Sequence, residues 1–542
     1  DIDERAAQLT GFALMMKGRA DDRRLFERGV KLNVMALVDS AGFDAEALAK
    51  GVELAGYGLQ QNDLTELKRL FEHATTFGSL IQVPEGLASS LPALKQLSET
   101  TSQDLFVSEA LKRLGPLVQQ AELLAAQYDA VVANPPYMGS GGMNAAVKKF
   151  AKDYFPEAKS DLFACFIARA IAQIKDRGRL GVVAPYVWMF LSSYEQLRGQ
   201  IVNETSLSSL IQLEYNAFEP ACIPVASFTL LRRHIPNFTG TYIKLSDFTG
   251  HQNQAPRTLE AIANPHCGWL HKAMPDEFKN IPGMPIAFWL GSSITGLFNS
   301  TEPLGEVCNP KVGIMTSDND RYLRRPWEVD ADRALLDAID VTAVEGHAPK
   351  WVPHNKGGGF RKWYGNQDFL IDWADFAYQF GNRYRKHFFR ECMSWSEITS
   401  SDLSFRYFPH GFTFNIKGMS AFDDGGYSLS ELLCVANSKV INHISRAINP
   451  TLSFGANNFR ALPALAIEHA DLGQIGKSLV RFSKIDWNAY ERSWDFQSLP
   501  LLTTSSGLNP TLESSYTAWI TQNRDTIAEM KRLEEENNRL FI

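Results

Sequence analysis

Tyr128-Asp129-Ala130-Val131-Val132-Ala133-Asn134-Pro135-Pro136-Tyr137 is the stretch on which the reading of this chain turns. Ala130 to Ala133 are small or β-branched apolar residues with no helical period, which predicts a buried parallel strand. Asn134-Pro135-Pro136-Tyr137 stops that strand. Two prolines fix φ twice and remove two donors, so the backbone leaves the sheet as a stiff turn. Open α/β sheets carry their chemistry at the carboxyl ends of such strands. Here the turn offers a side-chain amide acceptor at Asn134, a free carbonyl at Pro135 and an aromatic face at Tyr137. Together they suit a planar group that bears an exocyclic amine and has to be held flat. Taken alone, the four letters are also a β-turn signal. The strand before them and the Gly139-Ser140-Gly141-Gly142 loop after them favour a site.

An adenine turned out of a DNA helix is such a planar group, because enzymes that modify a base extrude it and sandwich it between aromatic surfaces. The segment resembles the Asn-Pro-Pro-Tyr signature of amino-group DNA methyltransferases, specifically the adenine-N6 enzymes. The resemblance implies a catalytic turn of Asn134, Pro135, Pro136 and Tyr137. Asn134 and Pro135 would accept hydrogen bonds from the amine, and Tyr137 would stack on the ring. S-adenosyl-L-methionine would be the methyl donor, with Asn134 also bordering it.

Working outward toward the N-terminus, Asp1-Ile2-Asp3-Glu4 reads as a strand end running into an amphipathic helix over Arg5 to Arg19, with Leu9, Phe12, Ala13 and Met16 on its apolar face. In the family, the first acid of such a triplet accepts the ribose hydroxyls and the next residue touches the adenine ring, which implicates Asp1 and Ile2. Asp3 reads as the helix cap. Phe77-Gly78-Ser79-Leu80-Ile81 resembles the strand end that borders the cofactor's adenine, making Ser79 and Leu80 candidates; a plain turn is the alternative. The glycine-rich first loop of the family is absent from the 542 residues. Leu32 to Ser40 reads as a further strand, Asn62 to Thr76 as a helix and Leu91 to Gln127 as a helical insertion.

On the other side, Ser160-Asp161-Leu162-Phe163 opens a helix with a serine cap that runs to Lys175, and the family places a polar residue near the site at Asp161. Gly178 to Pro185, Leu207 to Leu213 and Pro224 to Arg232 read as strands, the last of these closing the sheet. Asn216-Ala217-Phe218-Glu219-Pro220 matches the loop that in the family donates a second aromatic to the flipped base. Phe218 is that position, or else an ordinary core phenylalanine.

Bulk composition bounds the rest. At 542 residues the chain is too long for one core and predicts two or three domains. Apolar content of 45% and charged content of 21% describe an ordinary globular protein. No run of about 18 apolar residues predicts a membrane span. Six cysteines lie scattered without Cys-x-x-Cys pairing, so we expect reduced thiols, a cytoplasmic protein and no metal. Both ends read as cut, the sequence being an internal piece of a longer protein.

A net charge of −7 argues against a basic coat, so a DNA enzyme of this composition must concentrate positive charge on one face. Residues 350–420 do so, with ten Lys and Arg against six Asp and Glu, a net of +4. Three runs interleave aromatic and basic residues, nominating Arg321, Arg324, Lys356, Arg361, Lys362, Arg383 and Arg385 as DNA contacts. Any single run reads better as a solvated face, but three runs on one domain, joined to a base-flipping signature, favour DNA contact. Asn449 to Pro463 resembles the end of a target-recognition domain in restriction-type methyltransferases, adding Asn457, Asn458 and Arg460, with turn formation as their alternative.

Ile485-Asp-Trp-Asn-Ala-Tyr-Glu-Arg-Ser-Trp-Asp-Phe496, with Asp318 to Arg324 and Lys362 to Asn366, resembles the adenine-specific methyltransferases of BREX phage-resistance systems. That resemblance covers nearly the whole chain. It implies methylation of host double-stranded DNA at a short site, other BREX defence proteins as partners, and phage-encoded DNA-mimic proteins as inhibitors. The expected fold is α/β. A doubly wound Rossmann-like methyltransferase sheet without its first strand and glycine loop occupies 1–235, with an insertion at about 40–127. A connector follows over 236–300, then an α+β target-recognition domain over 301–470 and a helical segment over 471–542. A combined restriction–modification enzyme and a catalytically idle DNA-recognition module are the alternatives.

Overall fold

The computed structural model describes residues 2–219, 222–376, 384–423, 426–465, 469–504 and 511–541. The chain divides into two units of mixed α/β structure, Asp1–Pro275 and Asp276–Ile542.

The first unit is built on a six-stranded sheet of β1 (Tyr128–Ala133), β2 (Ile174–Pro185), β3 (Ser206–Gln212), β4 (Val225–Leu231), β5 (Gly240–Lys244) and β6 (Leu270–Ala273) in the order β1-β2-β4-β3-β5-β6. β1 runs parallel to β2, with Val131 opposite Leu180 and Ala133 opposite Val182. β4 is antiparallel to both β2 and β3, and β5 is parallel to β3. It follows that β1, β2 and β3 end at the same rim of the sheet. A bulge separates the two halves of the β1–β2 pairing, and Gly178 sits there because a Cβ would come within 2.9 Å of the Asp129 carbonyl.

Three sequence expectations are corrected here. β1 is parallel but not buried: it is the edge strand among the described residues, and Val132 is 85% exposed. Leu32 to Ser40 forms no strand, since the Val38 N–H and carbonyl pair with the side-chain amide of buried Gln120 at 2.9 and 3.0 Å. β4 does not close the sheet, because residues read as irregular connector supply β5 and β6. Helix α1 (Glu4–Asp21) forms, with Asp3 as its cap, but Leu9, Phe12 and Met16 face outward and only Ala7 is buried.

The insertion is helical, as expected, and includes Glu85–Ser98 and α2 (Leu105–Ala125). Its leucines at 3–4 spacing, among them Leu91, Leu94, Leu111 and Leu114, close a core of their own. After β1 comes α3 (Leu162–Gln173), which buries Phe163, Ile167 and Ile171. Each such side chain stabilises the fold by about 1.5–3 kcal/mol. Its N-cap is Asp161 rather than a serine, and it stops at Gln173 because buried Ile174 already begins β2.

The second unit holds a five-stranded sheet that includes Asn309–Lys311, Cys392–Ser396, Phe405–Phe408 and Gly418–Phe422, and a four-stranded sheet that includes Trp351–Asn355 and Phe369–Asp372. Leu429–Ala436, α4 (Leu472–Asn488) and α5 (Leu512–Arg539) pack on it. Trp487 and Trp494 are packing residues: Trp487 is buried and Trp494 lies 5.7 Å from the Phe412 ring, whereas Tyr490 is exposed.

Candidate active site

At the end of β1 the two prolines turn the chain out of the sheet, with Pro135 buried and Asn134 exposed. The Tyr137 hydroxyl donates to Asn134 Oδ1 at 3.0 Å, with the Val183 carbonyl at 3.3 Å as a second acceptor. With the hydroxyl's proton on Asn134, the amide presents its oxygen to Tyr137. The Tyr137 ring stands edge-on to Phe163 of α3, with centroids 6.4 Å apart, and burial raises its phenol pKa. The hydroxyl therefore stays a donor at neutral pH.

The glycine-rich loop that follows is held by the start of α3. Asp161 accepts from the Met138 N–H at 2.9 Å and the Phe163 N–H at 3.2 Å, so one carboxylate caps the helix and holds the loop. Leu162 N–H donates to the Met138 carbonyl at 3.1 Å, and Ser140 N–H to the Ser160 carbonyl at 3.0 Å.

Phe218 leaves β3 at the same rim as Asn134 and is 52% exposed. The rim also carries Tyr186, at the end of β2, which sequence reasoning missed. Ala184-Pro185-Tyr186 repeats there the strand, proline, aromatic pattern of Ala133 to Tyr137, a signal that was readable. Burial raises the Tyr186 phenol pKa, against the opposing pull of Gln212 at the end of β3.

On the cofactor side, Asp1 lies outside the described residues. Ile2 sits against Gly78, whose added Cβ would come within 3.1 Å of Ile2 Cγ2, and Gly78 has φ +61°. Gly78–Leu80 is a single 3-10 turn rather than a strand end, with Leu80 buried. Its Ser79 carbonyl accepts from Arg169 Nε at 3.2 Å, while Arg169 Nη2 donates to the Leu124 carbonyl at 2.7 Å. Arg169 is 6% exposed, and burial pulls its pKa down to about 10. Nothing in the sequence distinguishes it from a surface arginine on α3. The structure thus brings Ile2 together with the 78–80 turn, and α3 touches both that turn and the Asn134–Tyr137 loop.

In the second unit the nominated cations have partners. Arg321 lies 3.8 Å from Asp375, and Arg324 donates to the Asp320 and Leu323 carbonyls at 2.6 and 2.7 Å. Lys356 bonds Thr316 Oγ1 at 3.1 Å and Asn319 Oδ1. Arg361 pairs with Asp486 and Lys362 with Glu534, each at 3.4 Å, and Arg385 pairs with Glu345. Arg460 donates to Asn457 at 2.8 Å and the Pro310 carbonyl at 2.9 Å. Asn458 Oδ1 accepts from Gly455 N–H at 3.0 Å, closing a turn. Arg383 lies outside the described residues. No cluster of three His, Cys, Asp or Glu suited to a metal occurs among the described residues, and no described helix is long and apolar enough to cross a membrane.

Residues 1–218 match the family described as Eco57I restriction-modification methylase. The whole chain also has relatives. The adenine-specific methyltransferase BrxX of Escherichia coli O9:H4 (strain HS) is 34% identical over 93% of this chain and 43% of its own length. The adenine-specific methyltransferase PglX of Lacticaseibacillus casei (strain Zhang) is 31% identical over 100% of this chain and 47% of its own. The chain is a homologue of BrxX and PglX. It spans less than half the length of these curated relatives. Among solved structures, the Type IIL restriction-modification enzyme MmeI in complex with DNA aligns over 90% of this chain and 68% of its own, at 10% identity and a TM-score of 0.41.

Proposed function

We propose that the chain is the methyltransferase and target-recognition portion of a BREX-type adenine-N6 DNA methyltransferase. The first unit is read as a doubly wound, Rossmann-like methyltransferase sheet. The second is read as the DNA target-recognition domain with its helical C-terminal segment. The observation that carries the reading is the turn after β1, where Asn134 Oδ1, the Pro135 carbonyl and the Tyr137 ring stand together at the rim shared by β1, β2 and β3.

An adenine amine has two hydrogens and needs two acceptors in its plane. Asn134 and Pro135 supply them, and Tyr137 stacks on the ring, with Phe218 or Tyr186 available from the neighbouring loops. With both hydrogens engaged and the ring held flat, the nitrogen lone pair is left for the new bond. Positioning and fixed dipoles then account for most of the rate, and no general-base histidine is needed.

Ile2 lies against Gly78 at the start of the 78–80 turn, and we read Ile2, Ser79 and Leu80 as bordering one side of the adenosyl group of S-adenosyl-L-methionine. That cofactor supplies an activated methyl group. Double-stranded DNA is the substrate, and other BREX defence proteins are the partner class, with DNA-mimic proteins of phage as inhibitors.

The test is transfer of labelled methyl from S-adenosyl-L-methionine to host DNA by the full-length protein, with base analysis of the product. Label in N6-methyladenine that disappears in Asn134→Ala is the expected result. Label in cytosine, or normal transfer by Asn134→Ala, would overturn the mechanism.

A further inference from the structure

Among the described residues the cations singled out in the sequence are engaged inside the second unit, whereas a row on α4 is largely left over. Along α4, Lys477, Arg481 and Lys484 follow at spacings of four and three, so they share one face of the helix, and all are exposed. Among the described residues Lys477 and Arg481 have no carboxylate within 4.0 Å, and Lys484 has Asp495 only at 3.9 Å. The Arg481 guanidinium lies over the Phe482 ring, 5.0 Å from its centroid. The row lines one wall of a concavity of about 680 Å³, together with Arg390. Two carboxylates, Glu391 and Asp423, line it as well, and Glu391 is turned to partners of its own, the Tyr407 hydroxyl at 2.7 Å and His410 at 3.6 Å.

The geometry distinguishes between kinds of anion. A single phosphate or carboxylate calls for cations that converge on one point, and these run in a line. Seven residues of helix rise about 10 Å, a length over which duplex DNA presents about six phosphates counted on both strands. We propose that this face of α4 tracks the phosphate backbone of duplex DNA, with Lys477 and Arg481 as its main neutralising contacts. The proposal rests on the reading of the chain as part of a DNA methyltransferase. It adds a contact that positions the duplex without carrying base information.

Fluorescence anisotropy of the full-length protein on a labelled duplex, across a salt series, tests it. Each phosphate contact contributes about 0.9 to the slope of log affinity against log salt. The double variant Lys477→Gln/Arg481→Gln should lower that slope by about 1.8 and weaken binding about tenfold to a hundredfold at moderate salt, equally for duplexes of any sequence. Its melting temperature and S-adenosyl-L-methionine affinity should stay unchanged, since both side chains are exposed. An unchanged slope and affinity would overturn the proposal while leaving the methyltransferase reading intact. A loss confined to one target sequence would also overturn it, by assigning the row to base readout. Failure of the unaltered protein to bind any duplex would instead sink the reading on which the proposal rests.

Discussion

Asn134 Oδ1 has two lone pairs, and the Tyr137 hydroxyl takes one of them at 3.0 Å, leaving the other for an incoming amine. The tyrosine therefore has two separable jobs, a stacking face and a donor that keeps the amide oxygen turned the right way. A neutral hydrogen bond of this kind is worth about 0.5–1.5 kcal/mol net. Tyr137→Phe should consequently lower kcat by no more than about tenfold with KM for DNA nearly unchanged, whereas Tyr137→Ala should cost much more by removing the ring. Equal losses in the two variants, measured by steady-state methylation, would refute this division. At Asn134 itself, Asn134→Ala should abolish turnover and leave duplex affinity close to that of the unaltered protein.

α3 is the element that relates the two halves of the site. Its cap, Asp161, holds the Asn134–Tyr137 loop through Met138, and two turns later Arg169 holds the Ser79 carbonyl. Asp161→Ala removes a cap worth about 1 kcal/mol and frees the loop, so it should lower both the melting temperature and kcat. Arg169→Met leaves the buried Leu124 carbonyl unpaired, at about 1–3 kcal/mol, and releases the half-buried Ser79 carbonyl, so it should raise KM for the methyl donor more than KM for DNA. Isothermal titration with each ligand separates these outcomes; equal weakening of both would argue against the role of Arg169. The strands flanking this helix were legible, because β1 to β4 are short apolar runs punctuated by glycine and proline. β5 was not, since Gly240-Thr-Tyr-Ile-Lys244 gains its burial from β3, a partner about thirty residues earlier. Leu32 to Ser40 misled for the opposite reason, an apolar run whose backbone bonds go to a glutamine 82 residues away. Charge behaved likewise. The basic runs announce themselves, but the carboxylates that meet Arg361 and Lys362 lie 125 and 172 residues further on. The Asn-Pro-Pro-Tyr turn was readable because all its parts are contiguous.

At the scale of the molecule, stability should depend on pH through the second unit. His354 is fully buried, and its pKa is pushed down to about 3, first by burial and then by the charge of Lys356. Its Nδ1 lies 2.8 Å from Thr413 Oγ1, whose own proton goes to the Pro353 carbonyl, and Asn415 Nδ2 faces Nε2 at 3.4 Å. The neutral ring with a proton on Nδ1 satisfies all three neighbours, and a second proton would confront the Asn415 amine. The folded pKa is below the unfolded value of 6.5, so the unfolded chain binds the extra proton first. Stability is therefore complete above about pH 6.5 and falls as the pH drops toward 3, by up to about 1.4 kcal/mol per unit. Hydrogen exchange at pH 7 and pH 5 should show Trp351–Asn355 losing protection while α3 in the first unit does not. His354→Leu should flatten that dependence, whatever it does to stability at pH 7.

β1 carries a further consequence, for how residues 1–542 behave in solution on their own. Its outer edge is an unfilled ladder among the described residues, with Val132 85% exposed in the Ala130–Ala133 half of the strand. Such an edge is a template on which identical chains zip together. A concentrated preparation of residues 1–542 should therefore drift from monomer toward larger species. A lysine at the exposed position, Val132→Lys, should slow that drift, as charged edges do in natural sheets.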